Sequence, residues 1–133
     1  MTRIYITHCS HKKADHYKET GEGVSPDLLY TATPTQRFMT RCKARGVRWA
    51  ILSDKYGVWF PEVRHKWYEK SPDKVTEAEF SLLLRDFDEK LASYSEIRFY
   101  CNPGRFHRLY ARLLDRSVLA DRVKRMMHLG DIA

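Results

Sequence analysis

The chain has 133 residues and a mass of 15.8 kDa, the size of one domain whose core needs no disulfide or metal staple. Hydrophobic residues make up 43% and charged residues 31%, a globular balance rather than a disordered one. No apolar run nears the ~20 residues of a bilayer span, and Met1-Thr2-Arg3 runs straight into Ile4-Tyr5-Ile6, which argues against a secretory leader and a membrane partner. Three cysteines without paired close spacing fit a reducing cytoplasm.

In chain order, Arg3-Ile4-Tyr5-Ile6-Thr7 is a short β-branched and aromatic run, predicted as a strand that stops at a polar cluster. Residues 11–32, with Gly21-Glu22-Gly23, show little periodicity and are expected to form a mobile flap. Thr33-Pro34 opens a predicted helix that Gly46 closes. Val47–Leu52 reads as the second strand, and Tyr56–Pro61, with its Gly and terminal Pro, as a loop or edge strand. Thr76-x-x-Glu79 is a capping box ahead of Phe80, Leu83, Leu84, Phe87 and Leu91 at core-facing spacing. Glu96–Cys101 is the third strand, Asn102-Pro103 is expected to start a helix carrying Phe106, Leu109, Tyr110 and Leu113, and Leu119, Val123, Met126 and Met127 repeat the helical pattern. Alternating strands and helices predict a single α/β domain over residues 1–133, with a small central, mostly parallel sheet flanked by helices.

The net charge of +7 is unevenly placed. Residues 1–70 carry 13 Lys/Arg against 7 Asp/Glu, residues 71–96 carry 3 against 7, and residues 97–133 carry 8 against 3. Either an anion-binding face or ordinary solubility charge gives this pattern.

In open α/β sheets ligands bind outside the carboxyl ends of the strands. That rule brings together His8–Lys13, Ser53–Gly57 and Cys101–Arg105, three segments rich in nucleophilic, acid–base and donor groups. Cys9, beside His8, His11, Lys12 and Lys13, reads either as a thiolate nucleophile in an electropositive setting or as a small apolar strand-end residue. Asp54 reads either as a general base tuned by Lys55 or as an Asx turn closing the strand. Lys13 is a candidate electrostatic stabiliser, so Cys9, Lys13 and Asp54 form the catalytic candidates. Ser10, Ser53, Lys55, Tyr56 and Gly57 are candidate substrate contacts. Asn102, Gly104 and Arg105 are expected to bind phosphate at a helix start. His107 reads as a satisfied histidine rather than a catalytic one. The His and Cys residues lack the spacing of a zinc site, and no cofactor is expected.

Arg105, Arg108 and Arg112 recur at helical spacing, as a basic stripe or as a solvated face. Residues 58–68 interleave aromatics with cations, the pattern of a single-strand or flipped-base platform. Trp59 reads as core, whereas Lys12, Arg64, Lys66, Trp67, Tyr68, Arg108 and Arg112 are the candidate nucleic-acid contacts.

Taken together, Cys9-Ser10-His11-Lys12-Lys13, Ile51-Leu52-Ser53-Asp54-Lys55-Tyr56-Gly57-Val58 and the downstream Tyr68 resemble the small "SAKYGLL" proteins, the core domain of archaeosine synthase, a tRNA base-modifying lysine transferase, and more distantly the YaaA-like DNA-binding peroxide-stress proteins. The resemblance spans residues 3–112 and is most specific at positions 52–58. It implies an α/β domain with strand-end motifs around one cleft, a link to nucleobases, and pocket roles for Cys9, Ser10, Lys13, Ser53, Asp54, Tyr56 and Gly57. The chain departs from the archaeosine synthase pattern where His8 precedes Cys9 and Ala14-Asp15 follow Lys13. The expected function is an enzyme (transferase, glycosylase or hydrolase) acting on a nucleotide or a tRNA or DNA base. The alternative is a nucleic-acid-binding protein without turnover, and a homodimer or a subunit completed by another chain stays open.

Overall fold

A computed structural model describes residues 2–101 and 106–133. Ten principal elements occur among them: β1 (Arg3–His8), α1 (His16–Thr20), α2 (Pro26–Leu29), α3 (Thr33–Arg45), β2 (Trp49–Ser53), β3 (Gly57–Trp59), α4 (Glu77–Leu91), β4 (Glu96–Tyr100), α5 (Arg108–Arg116) and β5 (Val123–Met126). One five-stranded sheet has the order β3-β2-β1-β4-β5. β1 pairs in parallel with β2 and β4, β4 pairs in parallel with β5, and β3 returns antiparallel beside β2. The α/β fold expected from the sequence is the fold observed.

β1 sits at the centre because it is apolar on both faces: Ile4, Tyr5 and Ile6 are all buried, as strands covered on two sides require. β2 is buried along its whole length. The helices close both layers with their apolar stripes, α3 through Phe38, Met39 and Cys42 and α4 through Phe80, Leu83, Phe87 and Leu91. α4 starts on the predicted capping box: Thr76 accepts from the Glu79 N–H and Glu79 accepts from the Thr76 N–H. α3 ends on Gly46 in the left-handed region.

Two expectations change, and a third falls outside the described residues. The Leu119–Met127 run is not a helix: a 3-10 turn, Ala120–Arg122, leads into β5. Exposed Lys124 and Arg125 mark β5 as a charged edge strand, which blunts pairing with other chains. The predicted helix start at Asn102-Pro103 lies outside the described residues, and α5 begins at Arg108, where His107 is the cap and its Nδ1 accepts from the Leu109 N–H at 3.0 Å. The segment 11–32 is built into the fold: α1 and α2 lie within it, Lys13 bridges Tyr30, Val24 bridges His65, and Val24, Leu29 and Tyr30 are buried.

The strand order places the ligand-binding crevice. From β1 the chain moves to β2 on one side, and after β3 it crosses by α4 to β4 on the other. The carboxyl ends of β1 and β4 are therefore the point where connections diverge, the position at which doubly wound sheets hold ligands.

Candidate functional site

Past the end of β1, the Cys9 N–H donates to the Leu52 carbonyl at 2.9 Å, which carries the pairing with β2 one residue further. This extension sets Cys9 beside the residues that follow β2. A cavity of about 310 Å³ opens there, lined by Cys9 and Asp54 together with His8, Pro34, Lys70, His107 and Tyr110 among others. Ser10 also lines it and donates to the Lys12 carbonyl at 3.3 Å.

Asp54 is 3% exposed, and its Oδ1 has no hydrogen-bond partner. The turn after β2 does not need it, because the neighbouring Ser53 Oγ accepts from the N–H groups of Lys55 and Tyr56 at 3.1 and 3.0 Å. The Asx-turn role thus falls to Ser53, and Asp54 is left as a buried carboxyl. Burial raises its pKa above the usual carboxylate range, opposed by the Tyr68 hydroxyl, the Lys13 charge and the Cys9 thiol.

Cys9 is 9% exposed and its Sγ lies 3.1 Å from the Tyr110 hydroxyl. Burial, seconded by the nearby Asp54 charge, pushes its thiol up to about 11. The expected thiolate is corrected here: adjacent cations in sequence do not offset desolvation, and Cys9 is a neutral thiol at neutral pH.

Lys13 is buried, donates to the His11 carbonyl at 3.3 Å and stands 4.4 Å above the Tyr68 ring. Tyr68 is the hub beneath. Its hydroxyl meets that of Tyr30 at 2.6 Å and accepts from Ser53 Oγ at 3.2 Å, and burial raises the phenol pKa of both tyrosines. At 3% exposure Tyr68 cannot offer its face to a nucleic-acid base, so its predicted role as a surface contact is corrected. It carries the side chains that hold the site.

The cavity wall is aromatic. His8 stacks on Tyr110 at 5.2 Å between ring centroids. The His8 Nδ1 lies 3.0 Å from the Cys9 carbonyl, so the ring donates there and keeps Nε2 as an acceptor; that Nε2 is buried without a partner. Burial lowers the pKa of His8, with the nearby His107 adding to the effect, which keeps it neutral. Two unpaired acceptors, Asp54 Oδ1 and His8 Nε2, thus belong to side chains lining one cavity.

A larger, more open cavity of about 720 Å³ adjoins the first and shares Asp54 and Lys70 with it. Lys55, Tyr56 and Gly57 line this second space. Lys55 is exposed, and the Tyr56 hydroxyl donates to the Lys66 carbonyl at 2.9 Å while its ring stacks on His65 at 3.9 Å. Gly57 is needed for another reason than ligand approach: its φ is +74°, and a Cβ there would collide with the Asp86 carboxylate, which accepts from the Val58 N–H at 2.7 Å.

The remaining candidates scatter. Asn102, Gly104 and Arg105 lie outside the described residues. Lys12, Arg64, Lys66 and Arg108 are exposed. Trp67 is half-buried under Lys18, 5.0 Å from its ring centroid. Arg112 does not continue a free basic stripe: it makes a two-pronged pair with Glu77 at 2.9 and 2.8 Å and covers the Phe80 ring. Trp59 is core, as expected. Among the described residues no group of three His, Cys, Asp or Glu side chains could hold a metal ion, and no helix is long and apolar enough to cross a membrane.

Sequence reasoning missed Tyr30, Lys70 and the site role of Tyr110. Tyr110 stands on the apolar face of its helix, where an aromatic reads as core. Tyr30 and Lys70 sit in no motif. Comparison with protein-family models, with curated proteins and with solved structures returned no match.

Proposed function

We propose that the protein is an enzyme acting on a nucleobase, presented as a nucleotide or as part of a nucleic acid, in the cavity between Cys9, Asp54 and Tyr110. The observation that carries this reading is the buried Asp54 carboxyl, whose Oδ1 has no partner, on a side chain lining a small aromatic chamber at the divergence point of a parallel sheet. A base supplies a flat ring for the His8–Tyr110 wall and N–H donors for the two unpaired acceptors. Asp54, whose carboxyl burial pushes above the usual carboxylate range, is suited to exchange a proton with a ring or exocyclic nitrogen. Lys13 supplies a buried positive charge that stabilises the ionised form of Asp54 and any negative charge developing on the substrate. Lys70, at the junction of the two cavities, is ion-paired with Glu79, and the outer cavity also holds Glu69 and Asp86, so exposed Lys55 and Lys74 are the cations left there for a phosphate.

The test combines thermal shift with a panel of nucleosides and nucleotides and the modified-base content of tRNA and DNA in a deletion strain. A nucleotide-dependent rise in Tm that Asp54→Asn abolishes, with an altered base profile, supports the enzyme. No shift and an unchanged profile removes it. A second reading, nucleic-acid binding without turnover, is favoured by the neutral Cys9 thiol, which is no ready nucleophile. It predicts binding that survives both Cys9→Ser and Asp54→Asn.

A further inference from the structure

The chain entering α3 has two sides. Ala32, Pro34 and Thr35 line the small cavity, whereas Thr31 and Thr33 line a separate open groove of about 650 Å³. This groove continues along α3 past Arg37, Thr40 and Arg41, with Leu129 and Gly130 opposite. Among the described residues no carboxylate lines it. Arg37 and Thr40 are exposed, and a Cβ built on Gly130 meets nothing within 4 Å, so the groove is accessible.

Its charge is uncompensated. Among the described residues neither Arg37 nor Arg41 forms an ion pair, whereas Lys43 on the same helix is tied to Asp27 at 2.7 Å. Arg41 Nε is buried and has no hydrogen-bond partner. Arg37 and Arg41 are four residues apart on one helix face, where like charges repel unless an anion lies between them. Two arginines on one groove wall without acid partners match charged oxygens, and a phosphate takes two guanidinium donors at once. The lining from Thr33 to Ala44 covers about 16 Å of helix, more than one phosphate step along a strand.

We propose that this groove binds the phosphodiester backbone of a polynucleotide whose base occupies the cavity on the other side of the α3 entry, so that the substrate is a nucleic-acid strand rather than a free nucleotide. The proposal rests on the nucleobase reading of the cavity and extends it. Leu129 offers the groove's apolar contact to sugar or base, while Arg37, Arg41 and the threonine hydroxyls hold the backbone.

The experiment is fluorescence anisotropy of the full chain with labelled single-stranded RNA and DNA of one sequence, about 12 nucleotides long, within the site sizes of single-strand binders, across a range of salt. Arg37→Gln with Arg41→Gln is expected to weaken binding at least about tenfold and to lower the slope of log K against log salt by roughly 1.4 units, about 0.7 per lost contact. Thr40→Glu, which keeps both arginine stems, is expected to weaken binding in the same direction. Neither variant should change the thermal shift given by a mononucleotide, which reads the cavity alone. Whichever of RNA and DNA binds more tightly through the arginine pair is the natural source of the backbone. Unchanged strand affinity and salt slope in both variants, or no strand binding by the wild type, overturns the groove proposal while the mononucleotide shift still stands for the cavity. An absent mononucleotide shift with arginine-dependent strand binding overturns the cavity reading alone and upholds the groove.

Discussion

The Cys9 sulfur lies 3.1 Å from the Tyr110 hydroxyl, joining the end of the central strand to α5 across the mouth of the crevice. Burial keeps Cys9 a neutral thiol, although the Tyr110 hydroxyl by itself favours the thiolate. Titration of the thiolate absorbance is expected to show no Cys9 ionisation below about pH 8.5, the ordinary thiol value, with the rise centred near 11. Cys9→Ser identifies its share, since Cys42 and Cys101 are also pushed up by burial. Rapid alkylation of Cys9 at neutral pH would contradict the burial described.

Asp54 makes stability depend on pH with a definite sign. Its folded pKa is raised above the unfolded value, so its contribution is most favourable below about pH 4, the unfolded carboxyl range, and is lost as pH rises through the raised folded value. Asp54→Asn removes the charged form. Urea titrations are expected to find this variant more stable than wild type at pH 7 by about 1 kcal/mol, with the difference shrinking as pH falls towards 4. The same variant is expected to lose the nucleotide-dependent rise in Tm, a trade of stability for function. A variant less stable than wild type at pH 7 counts against an unpaired, desolvated carboxyl.

Gly57→Ala tests the turn between β2 and β3. The positive φ and the collision with the Asp86 carboxylate, which also pairs with Lys90, act together. A loss of about 1–3 kcal/mol is expected, read as a lower urea midpoint with unchanged slope. An unaltered midpoint would mean that the turn relaxes freely and that Gly57 stands where it does for ligand access.

Tyr68→Phe removes the hydroxyl that joins Tyr30 and Ser53 and keeps the ring under Lys13. Two buried partners lose a bond, for a cost of about 1–3 kcal/mol. Tyr30→Phe in the same background is expected to cost less than it does alone, because the pair interaction is already gone. Additive losses in that double-mutant cycle would show that the two hydroxyls act independently.

Much of this architecture is written in where apolar runs stop. Ile4–Ile6 and Ala50–Leu52 end at polar clusters, and parallel pairing of the two strands necessarily brings those clusters to one edge of the sheet. Cys9 and Asp54 meet for that reason. The ionisation of Cys9 was not legible, because sequence shows which charges are neighbours but not how much water is excluded. The division of labour between Ser53 and Asp54 was hidden too, as either residue can close a turn. β5 escaped detection because the spacing of Leu119, Val123 and Met126 fits a helix, and only pairing with β4 makes it a strand. Arg37 and Arg41 lie in a helix whose buried face is plain in the sequence, but the wall opposite them comes from residues 129 and 130, nearly 90 positions away.

The most direct test of the central claim is a crystal structure of the wild-type protein soaked with a nucleotide that raises its Tm. The base is expected against His8 and Tyr110, with a ring or exocyclic nitrogen within hydrogen-bond distance of Asp54 Oδ1 and the phosphate directed into the outer cavity that shares Lys70. A nucleotide bound elsewhere, with Asp54 Oδ1 still without a partner, would contradict this reading.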